Sequence, residues 1–262
     1  MPGPDDLALL VSAAQEAGEI ATRHFGKGPK SWDKGSGQGP VSAADLEIDA
    51  MLRTRLRTAR PGYGWLSEES ARVPAADSAA RGFVVDPIDG TRAFLDGQTG
   101  FSHALAVVEQ GVPVAAVVYL PLKDMLYTAA LGQGAHLNGV SIATSACACA
   151  AAQGAEVLVA RPQLAKELWP GGVPQVARHF RPSLAWRMAL VAEGQFDAML
   201  TLRPTWHWDI AAGALLVTEA GGVVSDGTGG PLRFDTVTPQ AGGVIAAGPA
   251  LHAELVRRRR GV

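Results

Sequence analysis

The spacing of hydrophobic residues changes after residue 60, and this change constrains the fold more than any other feature. Residues 5–25 and 43–59 carry apolar side chains at helical spacing, whereas 101–137 contains short continuous apolar runs broken by Gly and Pro. The first pattern is typical of amphipathic helices and the second of strands. After residue 156, strands and helices are predicted to alternate. The sequence therefore predicts an α/β or α+β fold with layered helices and sheets.

Length and composition indicate a large globular unit. The chain has 262 residues, of which 47% are hydrophobic and 18% charged, so it can bury a sizeable core. We expect an N-terminal α+β half, residues 1–145, and a C-terminal α/β half, residues 146–262. Ala-rich sequence connects the halves, which are expected to pack as one compact unit.

Charge and hydropathy exclude several function classes. A formal net charge of −2 offers no general attraction for a nucleic acid polymer, and the basic run Arg257–Arg260 is predicted to be a solvated helix end. No apolar stretch reaches the roughly 18 residues that span a bilayer, and no basic segment precedes an apolar N-terminus. Cys147 and Cys149 are too close together for an ordinary disulfide. These features predict a cytoplasmic protein with no membrane partner.

Acidic residues stand at predicted structural transitions along the chain. They are Asp45 in PVSAAD, Glu68 and Glu69 in LSEES, Asp86 and Asp89 in DPIDGT, and Asp209 in WDIAAG. An apolar run leads directly into Asp86, where an unpaired charge would be heavily penalised. A bound cation would remove that cost. Oxygen ligands without a nearby His or Cys cluster indicate Mg²⁺ rather than zinc.

The segment DPIDGT is informative by itself. Asp86 and Asp89 are close enough in sequence to converge on one site, and the carbonyl of Ile88 between them is a natural further ligand. Gly90 and Thr91 are predicted to open a helix or turn whose N–H groups hold phosphate oxygens. Carboxylates beside anion-binding amides indicate phosphoryl chemistry. A Ca²⁺-binding loop is the alternative, although the acidic ladder of an EF-hand is absent.

These motifs together resemble a known family. DPIDGTRAF and WDIAAGALLVTEAGG resemble the paired signatures of the inositol monophosphatase family, and LSEES and PVSAAD stand at its other two expected places in the expected order. The resemblance implies the layered αβαβα sandwich shared with fructose-1,6-bisphosphatase. It also implies a lithium-sensitive enzyme, often a homodimer, that uses two to three Mg²⁺ ions to hydrolyse the phosphate monoester of a small metabolite.

The resemblance also implies roles for individual residues. The expected ligands of a first Mg²⁺ are Glu68, Asp86 and the Ile88 carbonyl, and those of a second are Asp86, Asp89 and Asp209. Thr91, paired with Asp45, would orient and deprotonate the attacking water, and Glu68 would complete the catalytic set. Lys34 falls where the family has a mobile-loop lysine. The N-terminal half would thus carry most metal ligands, and the C-terminal half the last aspartate and the substrate-side wall.

Some polar residues near these motifs are given no direct role. Glu69 is expected to point away from Glu68, since neighbours in an extended segment face opposite sides. His207 is predicted to be structural. No function is assigned to the remaining histidines, which are His24, His103, His136, His179 and His252.

The substrate is predicted from the residues around these motifs. Inositol-specific members hold sugar hydroxyls with a glutamate before the last metal aspartate, whereas residues 201–206 contain no carboxylate. PVSAADLEID, LSEES and DGTRAF look more like bacterial CysQ-type 3′(2′),5′-bisphosphate nucleotidases. The predicted substrate-binding residues are Gly90, Thr91, Arg92, Ser183 and Arg203, with Arg181 as a further cation and Trp206 as a stacking surface.

Adenosine 3′,5′-bisphosphate is therefore the first predicted substrate, hydrolysed to AMP and phosphate. Inositol 1-phosphate and histidinol phosphate are the alternatives. It also remains open that the arginines are surface residues and that Trp206 is a packing residue. A metal-binding regulatory protein without catalysis is the hypothesis from another class, and the presence of Asp45 and Thr91 disfavours it.

Overall fold

The computed structural model describes residues 4–35, 39–75, 81–147 and 154–261. The helices within these ranges are α1 (Pro4–His24), α2 (Ala43–Ala59), α3 (Thr91–Leu95), α4 (Leu184–Ala192), α5 (His207–Glu219) and α6 (Pro249–Arg260). The strands are β1 (Ser31–Asp33), β2 (Pro40–Ser42), β3 (Gly64–Ser67), β4 (Gly82–Asp89), β5 (Ser102–Glu109), β6 (Val112–Leu120), β7 (Met125–Ala130), β8 (Ala135–Leu137), β9 (Val140–Ile142), β10 (Glu156–Val159), β11 (Ala177–His179), β12 (Ala198–Thr201), β13 (Thr205–Trp206), β14 (Val223–Ser225), β15 (Gln240–Ala241) and β16 (Val244–Ala247). Short 3₁₀ helices occur at Pro121–Lys123, Arg161–Leu164 and Lys166–Leu168.

Two sheets form the framework. The larger has seven strands in the order β3-β4-β5-β6-β7-β8-β9, and within it only β3 and β4 run parallel. The second has five strands in the order β11-β10-β12-β16-β14. Two small antiparallel pairs, β1-β2 and β13-β15, complete the set within the described residues. The strand meander predicted for 101–137 is confirmed as β5 to β8.

The two faces of each sheet are buried in different cores. In β4, Phe83 and Val85 pack with α1 and α2, whereas Val84 faces a second core that contains α4 and α5. The opposite side of α4 and α5 contacts the five-stranded sheet through Leu158 and Met199. Residues on the far face of that sheet pack against Leu251 of α6 and its neighbours. The order of layers is α, β, α, β, α, and the predicted αβαβα fold is confirmed.

The central helical layer is packed closely, and this packing sets the position of α5. Every residue of α4 is buried, and a fully buried Leu or Val side chain contributes about 1.5–3 kcal/mol. A Cβ atom on Gly213 of α5 would lie 2.5 Å from the Cβ of Met188 on α4. Only a residue without a side chain allows this close approach of α5 to α4. Asp209, near the start of α5, lines the same cavity as Asp89 at the end of β4.

The basic run at the end of the chain lies in the last turn of α6, as predicted, and its guanidinium groups also contact other parts of the protein. The guanidinium of Arg258 pairs with Glu254 at 2.6 Å. Arg259 and Arg260 donate to the carbonyls of Gly227 and Thr228 at 3.1 and 2.7 Å. Arg257 and Arg260 are exposed, as expected of a solvated helix end, and the loop after β14 supplies carbonyl acceptors that no local pattern of α6 indicates.

The structure tests three further expectations only in part. No helix among the described residues is long and apolar enough to cross a membrane, and the cytoplasmic location remains a prediction. Cys147 packs against the core of the five-stranded sheet, while Cys149 lies outside the described residues. The division of the chain at residue 145 also remains a prediction, and the first half of the chain supplies the larger sheet.

Candidate active site

A cavity of about 380 Å³ lies where the end of β4 meets the start of α5. Most of the predicted site residues line it. The lining consists of Pro40, Glu68, Asp86, Ile88, Asp89, Gly90, Thr91, Arg92, Leu184, Arg203, Pro204, Thr205, Trp206 and Asp209. Residues that are far apart in the sequence therefore share one cavity, and most of its polar side chains are acidic or basic.

Three carboxylates converge at the inner end of the cavity. Asp86, Asp89 and Asp209 each place an oxygen within 4.8 Å of the others. The first two end the buried strand β4 and are only 1% and 7% exposed. Asp209 lies in the first turn of α5, where the helix dipole favours an anion. Asp86 Oδ1 is buried without a hydrogen-bond partner among the described residues.

Burial and mutual repulsion make this cluster costly without a cation. Burial, followed by repulsion from neighbouring carboxylates, raises the pKa values of Asp86 and Asp209 well above the usual range. Burial also raises the pKa of Asp89 to about 6, against hydrogen bonds that lower it. A divalent cation would neutralise the repulsion and satisfy Asp86 Oδ1. The donor set consists of oxygens, which Mg²⁺ and similar hard cations prefer, so these residues fit a divalent metal.

The orientation of Asp89 is fixed from the central helical layer. Its Oδ2 accepts hydrogen bonds from the hydroxyl of Ser183 at 2.7 Å and from the N–H of Ala185 at 2.6 Å. Ser183 is fully buried and also caps α4, accepting from the N–H of Trp186 at 2.9 Å. Ser183 was expected to bind substrate. The structure places its hydroxyl on Asp89 instead of on the surface of the cavity.

Thr91 and Asp45 form a buried pair beside the cluster. The Thr91 hydroxyl lies 3.0 Å from Asp45 Oδ1 and 3.0 Å from the Ile88 carbonyl, so it can donate to either acceptor. Asp45 Oδ2 accepts from the N–H and the hydroxyl of Ser42 at 2.9 and 2.5 Å. This reciprocal capping box at the start of α2 holds Asp45 in place. Burial raises the pKa of Asp45 in spite of these bonds.

Lys34 joins the two glutamates of the LSEES motif. Its ammonium donates to Glu68 Oε1 at 2.8 Å and to Glu69 Oε1 at 2.5 Å. The expectation that Glu69 points away from Glu68 is therefore wrong. Strand β3 ends at Ser67, so strand alternation no longer applies to the residues that follow. Burial raises the pKa of Glu69 to about 7 although Lys34 lowers it.

The outer end of the cavity is cationic and aromatic. Arg92 on α3 and Arg203 before β13 line it with exposed side chains. Trp206 stacks on Trp208, with ring centroids 4.8 Å apart and an interplanar angle of 9°. Gly90 precedes α3 with φ of 99°, a conformation that favours glycine. Arg181 is elsewhere, because its guanidinium lies over the rings of Trp186 and Phe196.

Comparison with known proteins identifies the family. The Inositol monophosphatase family matches residues 5–262. An inositol-1-monophosphatase from Mesorhizobium japonicum is 34% identical, over 96% of this chain and 94% of its own. The chain belongs to the inositol monophosphatase family.

Two further relatives extend the comparison. The Nus factor SuhB of Escherichia coli (strain K12) is 32% identical, over 97% of this chain and 95% of its own. A solved IMPase structure from Thermotoga maritima superposes with a TM-score of 0.84 at 27% identity, covering 98% of this chain and 97% of that one. The names of these relatives do not support the predicted resemblance to CysQ-type nucleotidases.

Membership of the inositol monophosphatase family assigns the reaction class. The chain is a metal-dependent phosphomonoesterase, and a phosphorylated metabolite is its substrate. The acidic cluster of Asp86, Asp89 and Asp209 is where the divalent metal of this family fits. Glu68 lines the same cavity but lies outside that group of three, so its role as a ligand remains a prediction.

His103, to which the sequence analysis gives no function, contacts the segment between Asp86 and Asp89. His103 of β5 is fully buried and its Nδ1 lies 2.5 Å from the carbonyl of Pro87. A signal was present, because His103 is a titratable side chain within the otherwise mostly apolar run that follows Phe101. His207 is also buried, against Phe234 with ring centroids 5.1 Å apart, and does not line the cavity.

Proposed function

We propose that this chain is a Mg²⁺-dependent phosphatase of a small polyol phosphate, with inositol 1-phosphate as its first substrate. One observation carries the proposal: the three converging carboxylates and the buried Thr91–Asp45 pair meet at one cavity. The inositol-1-monophosphatase from Mesorhizobium japonicum, which covers nearly the whole chain, supports inositol 1-phosphate over a nucleotide.

The residues that would hold the metal are those at the inner end of the cavity. Asp86, Asp89 and Asp209 would supply carboxylate oxygens, and Glu68 and the Ile88 carbonyl would add ligands, for two to three Mg²⁺ ions in all. Bound there, these ions neutralise phosphate charge, lower the pKa of water and stabilise the leaving alkoxide. The protein then has to position the reactants, which together with electrostatic stabilisation accounts for most of catalysis in phosphoryl transfer.

Thr91 and Asp45 would position the attacking water. The Thr91 hydroxyl donates its proton to Asp45 or to the Ile88 carbonyl, so its oxygen lone pairs can accept a proton from a water in the cavity. Asp45 has a raised pKa, which makes it a better proton acceptor than an ordinary aspartate. The pair would therefore hold the water and receive its proton through the threonine hydroxyl.

A second candidate substrate is adenosine 3′,5′-bisphosphate, and a specific observation favours it. Arg92 and Arg203 line the outer end of the cavity, and Trp206 presents an aromatic ring there. No carboxylate stands in residues 201–206 to accept hydrogen bonds from a polyol. Guanidinium groups suit a second phosphate, and an indole suits a purine.

The deciding experiment measures inorganic phosphate release in Mg²⁺ from inositol 1-phosphate and from adenosine 3′,5′-bisphosphate, with and without lithium. We expect kcat/KM for the inositol ester to exceed that for the nucleotide by about tenfold, roughly 1.4 kcal/mol in transition-state binding. A tenfold preference in the other direction would replace the first candidate by the second. Chelation by EDTA should abolish both activities, and turnover that survives it would contradict the metal assignment.

The homodimer also remains a proposal. Light scattering coupled to size-exclusion chromatography would show a mass twice that of the 27.2 kDa chain. A mass equal to that of one chain would contradict it.

A further inference from the structure

Strand β4 contains a bulge at the residues proposed to hold the metal. Asp86 pairs with Ala104 and Asp89 pairs with Ser102, so two residues of β4 lie opposite the single residue His103 of β5. In a regular strand, residues three apart point to opposite faces. One extra residue shifts this alternation. The bulge therefore explains how Asp86 and Asp89 both reach the same cavity.

The side chain of His103 occupies the space opposite this bulge. Its Nδ1 lies 2.5 Å from the carbonyl of Pro87, one of the two residues of β4 that lie opposite His103. Because a carbonyl oxygen only accepts, Nδ1 carries the proton and Nε2 is the bare nitrogen. Phe101 and Tyr119 flank the ring at centroid distances of 6.1 and 6.3 Å. Both the orientation and the tautomer of the imidazole are thereby fixed.

This arrangement is not the one that stability alone would favour. His103 is fully buried, and its Nε2 has no hydrogen-bond partner among the described residues. An unpartnered buried nitrogen has lost its hydrogen bond to water without a replacement, which destabilises the folded state. Burial lowers the pKa of His103 to about 4, so the ring is neutral near pH 7. A neutral ring adds no positive charge that would compete with a cation at the carboxylates.

We propose that His103 is a positioning residue for the metal site, whose Nδ1–H holds the bulge that directs Asp86 and Asp89 into one cavity. The inference rests on the proposed function only in that it takes the carboxylate cluster to bind a divalent metal. Without this donor, the Pro87 carbonyl would be left to rotate toward another partner. The spacing of the two carboxylates would then change, because the chain between them is short.

The test compares two variants of His103 in the full chain, with Mn²⁺ as the probe. His103→Leu replaces the imidazole by an apolar group of similar size and so removes the Nδ1–H donor. In His103→Asn, the side-chain amide nitrogen can take the position of Nδ1 and donate to the Pro87 carbonyl. Mn²⁺ affinity is measured by electron paramagnetic resonance and by the metal-induced rise in Tm. We expect His103→Leu to weaken Mn²⁺ binding at least about tenfold, or 1.4 kcal/mol, and His103→Asn to remain within about threefold of the wild type.

His252→Leu is the matched control. His252 is also buried and its Nε2 lies 2.8 Å from Ser225 Oγ, but no residue of α6 lines the cavity. We expect this control to lower Tm without changing Mn²⁺ affinity. If His103→Leu behaves in the same way, His103 is merely structural and the inference is overturned.

Two further outcomes of this experiment have to be distinguished: a variant that does not fold, and a protein that binds Mn²⁺ but has no phosphatase activity. Should His103→Leu fail to fold, His103→Gln replaces it, because the longer amide places its nitrogen near the position of Nε2 and leaves the Pro87 carbonyl without its donor. Wild-type affinity in that variant would also overturn the inference. Loss of Mn²⁺ binding in His103→Leu, together with a wild-type protein that hydrolyses no monoester, would support the positioning role and reject the proposed function.

Discussion

The two ends of the cavity are built differently. At the inner end, Asp86 and Asp89 finish a buried strand, and hydrogen bonds from Ser183 and Ala185 fix the carboxylate of Asp89. At the outer end, Arg203 precedes a two-residue strand, and its side chain is exposed. The carboxylates at the inner end are therefore fixed by packing between the layers of the fold. Arg203 at the outer end is positioned only by a short segment of the chain.

This difference indicates how reaction and substrate are determined. Carboxylates that must meet with a spacing of a few ångströms have to be carried by rigid elements, because a small displacement would break the metal site. Side chains that select the alcohol of the substrate can stand on loops, where substitution disturbs little of the packing. We therefore expect changes at the inner end to abolish turnover and changes at the outer end to redistribute it among substrates.

The largest effect is expected at the inner end. Asp209→Asn should reduce kcat by at least about a thousandfold, roughly 4 kcal/mol, because it removes one of the carboxylates proposed to hold the metal while keeping the shape of the side chain. Phosphate release at saturating Mg²⁺ measures it. Asp124→Asn is the control, since Asp124 is exposed at a positive φ of 51°, which asparagine tolerates. Near-normal turnover in Asp209→Asn would contradict the expectation that changes at the inner end of the cavity abolish turnover.

A smaller and substrate-dependent effect is expected at the outer end. Arg203→Ala should lower kcat/KM about tenfold for adenosine 3′,5′-bisphosphate and less than about twofold for inositol 1-phosphate, because only the nucleotide carries a second phosphate there. Arg181→Ala is the control, since Arg181 lies over Trp186 rather than in the cavity. An equal loss for both substrates would show that Arg203 contributes to the shared chemistry.

The smallest effect concerns stability without metal. The folded-state pKa of Asp89 is raised to about 6, so the folded protein binds more protons than the unfolded chain, and stability is lost as pH rises through about 4 to 6. Asp86, with its raised pKa, acts in the same direction. Asp86→Asn should therefore raise the free energy of unfolding by about 1 kcal/mol at pH 7.5 in EDTA and by little at pH 4.

Urea unfolding of metal-free protein at the two pH values measures this effect. Excess Mg²⁺ should reverse the order of stability, because only the wild type gains fully from metal binding to the folded state. Asp124→Asn should match the wild type under all of these conditions. If metal-free Asp86→Asn is less stable than the metal-free wild type at pH 7.5, the Asp86 carboxylate is stabilised by a group of the protein and does not need a cation.

Much of this protein could be predicted from the sequence. Helices α1 and α2 follow from the spacing of their apolar residues, and α2 is bounded by a capping serine and by Pro61. The acidic residues at strand and helix ends were identified because a charge that follows an apolar run needs compensation. The family motifs added the order of the layers.

Other features could not be predicted, and each depends on a contact between distant residues. Ser183 binds Asp89 across 94 positions, and Lys34 reaches Glu68 across 34. His103 meets Pro87 only because a bulge leaves that carbonyl opposite its ring. None of these contacts has a local pattern, because it is the packing of layers that brings the partners together.

The sequence by itself determined most of the helices and the longer strands, and which of them end in a carboxylate, since both follow from interactions among near neighbours in the chain. The family motifs implied that Asp86, Asp89 and Asp209 share a metal, but only the tertiary structure showed the packing that brings them together. Asp209 joins Asp86 and Asp89 in a layer where Gly213 lets α5 lie close to α4. That placement depends on the packing of two layers, a property of the whole fold that no stretch of neighbouring residues encodes.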